Sequence, residues 1–554
     1  MENKVKVGSG TKQAETAPAC AWVFAEGTWT KQAETVPACA WVFAEGTWTK
    51  AAETAPACAR GFAEGSWTKG IRRAPAWARL SAEGTWTKRV GRVAACARIS
   101  AVVWMACCAA AGAARQEVTR DFQKTAALGG GRSFRIEHSL GSVSIHTQAK
   151  GEVEIRASIK CSADNAAEAQ RRCDQIKIVV EESSTGVWVR TEYPHEDLFG
   201  GHRNLSYSVN YDITMPETAP LEVRNRFGAV SVSNLHAAGT INNSNGQVSF
   251  SGGSGRQRIE NSFGQVNVAG NDGDVTVVNA NGQVDASDVN GALDIRDRFG
   301  AVRVTNAGKR VDINSGNGDV SVTNVGGPAN IVNSFGTVTV RDARGDVTVQ
   351  NQNGRVEATG VAGTADLRTS FGTVRFSRVG KGLTAHASNS SITGDTVGES
   401  ATVETTFGAI DLRGVKGGLR VTAGNSAIRL ADVGGEVYAK TSFGGVTVDE
   451  AGGPITVENG NGSVTVRAKA AQKCQPISVN TTFGPVRVTV PPGLGYDVTA
   501  RTTFAHITSQ PAMMHAAGET TARSMGADSL NGKIAGGGCP LKLTDENGSI
   551  EILN

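Results

Sequence analysis

The feature that most constrains the fold of this chain is a strict 18-residue repeat. The dipeptide Phe-Gly recurs every 36 residues from Phe227 to Phe443, and an Asn such as Asn245 lies midway between successive copies. Phe483 then follows the preceding Asn after 22 residues, which indicates a four-residue insertion near Cys474. A repeat of constant length is typical of a solenoid, in which each coil packs only against its neighbours.

Each repeat has the pattern of two short strands. In the unit that begins at Phe299, Val302 and Val304 alternate with polar residues, and the alternation resumes at Val311 after a predicted turn over residues 306–308. Alternation with a period of two gives each strand one inward and one outward face. Stacked coils would bring equivalent residues about 4.8 Å apart. The sequence therefore predicts an all-β fold, a parallel β-solenoid with 18-residue coils.

Two files of side chains are predicted to stack along the solenoid axis. The first file is a structural ladder in which Phe and Asn alternate, most of them followed by a Gly that bends the chain. Its members are Phe227, Phe263, Phe299, Phe335, Phe371, Phe407, Phe443, Asn245, Asn281, Asn317 and Asn353. The second file lies two residues earlier, runs from Asn225 to Thr369, is broken at Ala387 and resumes at Thr405. The members of this file lie two residues after inward side chains such as Ile313, so they are predicted to point inward and to form a buried polar ladder. A binding row on the surface is the alternative.

Residues 1–88 form a tandem-repeat extension. A 19-residue unit, TKQAETAPACAWVFAEGTW, starts at Thr11 and recurs in near-identical copies. Pro and Gly interrupt each copy, so neither strand alternation nor a helical stripe is clear. We interpret the extension as a translated repeat upstream of a start that was assigned too early. A Trp-rich binding array is the alternative.

Residues 89–114 have the pattern of a secretory signal peptide. A basic flank precedes the apolar stretch Ile99–Ala114, which ends in small residues and predicts cleavage near Ala114. Cys107 and Cys108 leave lipidation open. No apolar run reaches the length of a membrane-spanning helix, so we expect no transmembrane span in the mature chain. The expected location is extracytoplasmic: periplasm, cell surface or secreted.

Residues 115–222 differ from the repeats and predict a β-rich N-terminal cap. The segment between Cys161 and Cys173 is rich in Ala, Glu and Arg, which predicts one short helix with Ser162 or Asp164 as its N-cap. A cap is needed because the first coil of a solenoid would otherwise expose an open sheet edge. The solenoid with its closing C-terminal strands is predicted to occupy residues 223–554.

Four cysteines lie downstream of the predicted signal peptide, in a compartment that permits disulfide bonds. The predicted pairs are Cys161–Cys173 and Cys474–Cys539. No CxxC motif or His cluster accompanies them, so a zinc site is not expected. We expect no cofactor.

The charge balance argues against nucleic-acid binding. The formal net charge is +4, and the excess of Lys and Arg lies in the N-terminal region, so the repeats are nearly neutral. Outward acids are scattered, but Asp285 and Asp319, with Arg303 and Arg355 near them, are candidates for a glycan-cleaving site. Alternating charge on a solvated sheet is the ordinary explanation. We expect no enzyme activity, and a carbohydrate-active β-helix enzyme, a polysaccharide lyase or hydrolase, is the alternative.

Three phrases resemble the bacterial DUF4097 family of adhesin-like β-helix domains. They are YDITMPETAPLEVR, the repeated NGxVxV and FGxVxV units, and the closing NGKIAGGGCPLKLTDENGSIEI, and the resemblance covers residues from about 131 to 552. It implies an extracytoplasmic, single-stranded, right-handed β-helix and offers no catalytic residues. The expected function is that of a non-catalytic adhesin-like scaffold. Its expected partner is a glycan, a cell-wall polymer or another exported protein.

Overall fold

The computed structural model describes residues 4–6, 21–26, 40–45, 60–64, 116–194, 206–470, 473–514, 523–524 and 527–554. The chain divides into two compact units, Met1–Ala110 and Ala111–Asn554. The predicted signal peptide, residues 89–114, lies outside the described residues, as does most of the tandem-repeat extension. None of the described helices is long and apolar enough to cross a membrane.

Within the first unit the structure describes one parallel four-stranded sheet. Its strands are Lys4–Lys6, Ala21–Glu26, Ala40–Glu45 and Arg60–Glu64. Ala21 pairs with Ala40, so the copies stack in the register of the 19-residue repeat. The sequence patterns did not predict these strands, because Pro and Gly interrupt each copy, but the AWVFAE segments of the second and third strands contain neither residue.

The repeat region of the second unit is a parallel β-solenoid, as predicted, and each of its roughly 15 coils contributes one strand to each of two sheets. We call them sheet 1 and sheet 2. The solenoid strands of sheet 1 are Leu221–Phe227, Gly239–Asn245, Gln257–Phe263, Val275–Asn281, Leu293–Phe299, Val311–Asn317, Ala329–Phe335, Val347–Asn353, Ala365–Phe371, Leu383–Asn389, Ala401–Phe407, Leu419–Asn425, Val437–Phe443, Ile455–Asn461 and Ile477–Phe483. The first begins at Leu221, so the predicted boundary between residues 222 and 223 falls inside it.

Sheet 2 lies on the other side of a common apolar core. Its solenoid strands are Val230–Leu235, Val248–Gly253, Val266–Asn271, Val284–Val289, Val302–Ala307, Val320–Val325, Val338–Ala343, Val356–Val361, Val374–Val379, Ile392–Val397, Ile410–Val415, Ile428–Val433, Val446–Ala451, Val464–Ala468 and Val486–Thr489. Val302 and Val304 are buried from sheet 2, and Val311 and Ile313 are buried from sheet 1. The alternation in the sequence thus gives the inward face of each strand correctly.

The turn predicted over residues 306–308 is partly wrong. Asn306 adopts a left-handed conformation with φ of 57° inside the strand Val302–Ala307, and Ala307 is buried in the core. The left-handed residue shifts the alternation by one position, so Thr305 and Asn306 both face outward and Ala307 returns to the core. Asn tolerates this conformation, and Asn324 occupies the equivalent position in the next coil with φ of 56°.

The second file is a buried polar ladder, and the surface alternative is wrong. Asn225 Nδ2 donates to Asn243 Oδ1 over 3.1 Å, and Asn243 Nδ2 donates to Asn261 Oδ1 over 3.2 Å. All three side chains are buried. Asn243 Nδ2 also donates to the carbonyl oxygen of Gly246, at the bend of its own coil. Each Asn therefore satisfies polar groups that would otherwise be left unpaired inside the solenoid.

The described residues of the second unit that precede the first coil form seven strands and one short helix. These elements are Gln116–Ala127, Ser133–Glu137, Val143–Gln148, Glu152–Ala163, the helix Ala166–Gln175, Lys177–Glu182, Gly186–Glu192 and Ser206–Pro216. The N-cap is Asn165, whose Oδ1 accepts a hydrogen bond from the amide of Glu168 over 2.8 Å, rather than Ser162 or Asp164. The reason is that the preceding strand extends through Ala163 and delays the start of the helix.

The C-terminal residues close the solenoid in an unexpected order. The last strands of the chain are Cys539–Asp545 and Ile550–Leu553. Cys539–Asp545 inserts between Ile477–Phe483 and Tyr496–Thr502 with parallel pairing on both sides. Two further strands, Ile507–Ser509 and Ala527–Ile534, complete the end, with the short pairs Met513–Met514 and Arg523–Ser524. The end of the sequence therefore forms a coil inside the stack and not its outermost layer.

In the structure both predicted cysteine pairs are bonded. Cys161 joins Cys173 with Cα atoms 5.7 Å apart, and Cys474 joins Cys539 with Cα atoms 5.3 Å apart. The second bond attaches the region of the four-residue insertion to the inserted C-terminal coil, 65 residues later in the chain.

We expect these four cysteines to contribute no free thiols in the native protein. Thiol titration of the denatured, unreduced protein, with peptide mapping to assign the sulfur atoms, checks this expectation. Four reactive thiols at these positions would contradict both pairings. Reduction should lower the melting temperature, since a bond that closes a 65-residue loop stabilises by about 4 kcal/mol in the chain-entropy account.

Candidate binding edge: a phenylalanine row beside a polar groove

The predicted Phe and Asn file forms one edge of the solenoid, and its Phe rings face solvent. We call the eight rings the Phe row: Phe227, Phe263, Phe299, Phe335, Phe371, Phe407, Phe443 and Phe483. Each is between 48% and 56% exposed. Large apolar side chains scattered singly on a surface need no explanation, but a regular file of them along one edge makes that edge a candidate interaction site.

The bend after each ring explains why the ring stays outside. Phe227 ends a strand of sheet 1, and Gly228 follows with φ of 130° before sheet 2 begins at Val230. The interior on either side of this bend is already filled by Asn225 and Val230, both of which are buried. The Phe ring therefore projects from the corner between the two sheets.

The Asn residues lie between the rings and complete the edge. Phe227 pairs with Asn245, and Asn245 pairs with Phe263, so the two residue types alternate from coil to coil. Asn245 Nδ2 donates to the carbonyl oxygen of Arg226 over 3.3 Å, which fixes the amide group. Asn317 makes the equivalent bond to the carbonyl oxygen of Arg298. In both residues the side-chain oxygen accepts no hydrogen bond from the described part of the chain.

A polar groove of about 1050 Å³ runs beside the first part of the Phe row, on the sheet 1 side. It extends from His138 in the cap along the outward residues of sheet 1 to Asn314. Ser244 and Ser262, which line it, directly precede Asn245 and Phe263 in the chain. The groove and the Phe row are therefore adjacent parts of one surface.

Three arginines of the groove are neutralised by acids. The contacts are Arg190 with Glu181 at 3.1 Å, Arg224 with Glu222 at 2.8 Å, and Arg296 with Asp294 at 3.1 Å. Arg226 and Arg298 also line the groove, yet their guanidinium groups contact no acid within the described residues. These two exposed cations give the groove a local positive charge next to Phe227 and Phe299.

The end of the groove near the cap holds a buried His. His138 is 4% exposed, and its Nδ1 lies 3.1 Å from Thr191 Oγ1, which in turn lies 2.6 Å from Tyr211 Oη. Burial lowers the pKa of His138 to about 4, so its imidazole is neutral at physiological pH. Its other nitrogen, Nε2, is buried without a hydrogen-bond partner among the described residues.

The structure does not bring the candidate catalytic acids together. Asp285 lies 3.5 Å from Arg303 and accepts hydrogen bonds from Gln283, so its charge is paired on the surface of sheet 2. Asp319 instead lies at the corner after the bend, where its Oδ1 accepts from the amide of Thr337 over 2.7 Å.

Arg355, the fourth candidate, pairs with Glu357 at 3.4 Å and with neither of the two aspartates. Two carboxyl groups that flank a glycosidic bond must face one another across it. Asp285 and Asp319 occupy different files and do not.

The described residues contain no group of three or more His, Cys, Asp or Glu side chains that could hold a metal ion. Asp272 and Asp274, which resemble part of a calcium repeat in sequence, are engaged with Asn290 and with the amide of Ala292. The exposure of the Phe row is the feature that the sequence analysis missed. The available signal was the Gly after each Phe, which places the ring at a corner.

Comparisons with known proteins give one structural similarity. Neither a protein-family model nor a curated protein matches the chain. A solved structure of a putative cell adhesion protein from Clostridium sporogenes matches with a TM-score of 0.15 and 8% sequence identity, over 78% of this chain and 99% of that one. At that TM-score the similarity carries no argument about this chain.

Proposed function

We propose that this protein is an exported, non-catalytic, adhesin-like scaffold that binds an extended partner along the Phe row. The observation that carries the proposal is the exposure of eight Phe rings in one file. Burying such rings against a partner removes apolar surface from water, which drives association. The solenoid spans about 70 Å at the usual strand spacing, so the file suits a polymer or a long surface better than a small molecule.

Three further points support this proposal. The signal-like segment at residues 89–114 favours an extracytoplasmic location, at the cell surface or in the periplasm. The resemblance to the DUF4097 family favours an adhesin-like role. The nearly neutral repeats favour a glycan, a cell-wall polymer or another exported protein over nucleic acid as the partner.

We expect the intact protein to be retained on isolated cell-envelope material through the Phe row. Replacing Phe227, Phe263 and Phe299 together with Ser should lower the retained fraction at least tenfold, because three half-exposed rings lose their contact with the partner. A pull-down assay with quantified bound protein measures the effect. Val332→Ser is the control, since Val332 is 45% exposed on the outward face of sheet 1 and is not a member of the Phe row.

The opposite result would be equal retention of the triple variant and the wild type, with unchanged circular dichroism. The enzyme alternative is tested with the same envelope material. We expect no soluble product, and Asp285→Asn should leave retention unchanged. Release of glycan fragments that stops in the Asp285→Asn or Asp319→Asn variant would replace the scaffold with an enzyme.

A further inference from the structure

The Phe row has a repeat distance of two coils. Neighbouring strands of a sheet lie about 4.8 Å apart, so successive rings are separated by about 9.6 Å. This distance is comparable with the advance of one disaccharide along an extended β-linked polysaccharide. A ring stacked on every second sugar would leave the sugars in between opposite the Asn residues such as Asn245 and Asn281.

The chemistry of the edge matches the two faces of a sugar. Aromatic rings pack against the apolar C–H face of a pyranose, and the free side-chain oxygen of Asn245 can accept a hydroxyl hydrogen bond. Ser262, Ser334 and Ser370 directly precede rings of the row and add short hydroxyl groups beside them. Beside these residues the edge is therefore apolar at the rings and polar without charge between them.

The two groove arginines that contact no acid among the described residues favour a ligand that carries negative charge. Arg226 and Arg298 lie in equivalent positions four coils apart, about 19 Å along the axis. That separation is twice the distance between rings, so both cations coincide with the same point of a disaccharide repeat. A guanidinium group binds a carboxylate through two parallel hydrogen bonds.

We propose that the Phe row and the adjacent groove bind a linear polysaccharide whose disaccharide repeat carries a carboxylate, as in a glycan with alternating uronic acid residues. This inference rests on the proposed function and names the partner of the same surface. Phe227, Phe263 and Phe299 stack on successive repeats, and Arg226 and Arg298 bind the carboxylates of the first and third. Beyond the groove, the remaining rings continue the apolar contact.

The test uses the intact protein and hyaluronan oligosaccharides, in which a uronate alternates with a neutral sugar. Carboxyl-reduced hyaluronan of the same length is the matched neutral probe. We expect hyaluronan to bind at least tenfold more tightly than the reduced polymer at low salt, and the difference to shrink as the salt concentration rises. Isothermal titration calorimetry measures both affinities.

Two sets of variants separate the charge from the rings. Arg226→Gln with Arg298→Gln should remove the preference for hyaluronan without lowering the affinity for the reduced polymer. Phe263→Ser with Phe299→Ser should weaken both probes. Arg375→Gln with Arg429→Gln is the control, since these arginines are exposed on sheet 2, away from the groove.

Each unfavourable result overturns the inference. Equal affinity for the two probes, or an arginine variant that keeps the preference, contradicts the carboxylate. Failure of both probes to bind contradicts a glycan ligand. If retention on envelope material still depends on the Phe row, the proposed scaffold function remains, with a different partner. Sedimentation velocity identifies one such partner: a wild-type dimer that the Phe variants convert to a monomer would assign the row to a second copy of this chain.

Discussion

Replacing Gly282 with Ala should destabilise the solenoid by about 3–5 kcal/mol. Gly282 makes the bend after Asn281 with φ of 131°, a region that L side chains rarely adopt. A Cβ there would lie 2.3 Å from the carbonyl oxygen of Gly264 in the neighbouring coil. That atom belongs to the backbone, so the coils must separate locally to relieve the contact. Thermal unfolding followed by circular dichroism measures the loss.

Gly270→Asn is the matched control for this prediction. Gly270 has φ of 68°, and a Cβ there would meet no atom closer than 3.8 Å. The equivalent position in other coils is held by Asn306 and Asn324, where Asn324 Nδ2 donates to Asn306 Oδ1 over 2.8 Å. We expect this variant to be as stable as the wild type or more stable by up to about 1 kcal/mol. A loss of stability equal to that of Gly282→Ala would show that a side chain at any repeat glycine destabilises the solenoid. The effect at Gly282 would then not be specific to the bend.

Replacing Asp297 with Asn should stabilise the protein above neutral pH by about 1–3 kcal/mol. Asp297 occupies the buried polar ladder and is 5% exposed. Its Oδ1 accepts from Asn279 Nδ2 over 3.2 Å, but its Oδ2 has no hydrogen-bond partner among the described residues. Burial raises the pKa of this carboxyl from 3.8 to about 6. Ionisation of Asp297 therefore destabilises the folded state.

The sign of the pH dependence follows from that raised pKa. Between about pH 4 and pH 6 the folded state holds a proton on Asp297 that the unfolded state has released, so stability at this position falls as pH rises. Below pH 4 both states are protonated and the cost is absent. The Asp297→Asn variant lacks this dependence, because Asn is neutral and can donate to a carbonyl oxygen as Asn279 does to Gly282 over 2.8 Å.

Melting temperatures at pH 4 and pH 8 provide the measurement. We expect the variant and the wild type to differ little at pH 4 and the variant to melt higher at pH 8. Asp411→Asn, an exposed and outward-facing change on sheet 2, should shift neither value by more than a small amount. A variant less stable than the wild type at pH 8 would mean that the carboxylate is compensated in the folded protein.

Most of the solenoid can be predicted from the residue pattern. The 18-residue spacing set the coil length, and the alternation around Val302 and Val311 assigned the inward faces, because a strand side chain can only point to one sheet face or the other. The file through Asn225 was identified as internal for the same reason. These properties depend on the local period of the sequence, and they recur in every coil. They can therefore be predicted without knowledge of contacts between distant segments.

The surfaces that are available for binding could not be predicted in this way, because they depend on how the coils pack. The Phe row shares the parity of inward residues, yet the bend at Gly228 and the filled interior turn its rings outward. Whether Arg226 and Arg298 have an acidic partner depends on which side chains lie beside them in adjacent coils. The insertion of Cys539–Asp545 between two earlier strands likewise joins residues that are 64 positions apart on one side, as in Ile477 and Leu541, and 43 apart on the other, as in Tyr496 and Cys539. Such pairings depend on contacts between distant segments and on the space the core leaves, which a repeat period does not specify.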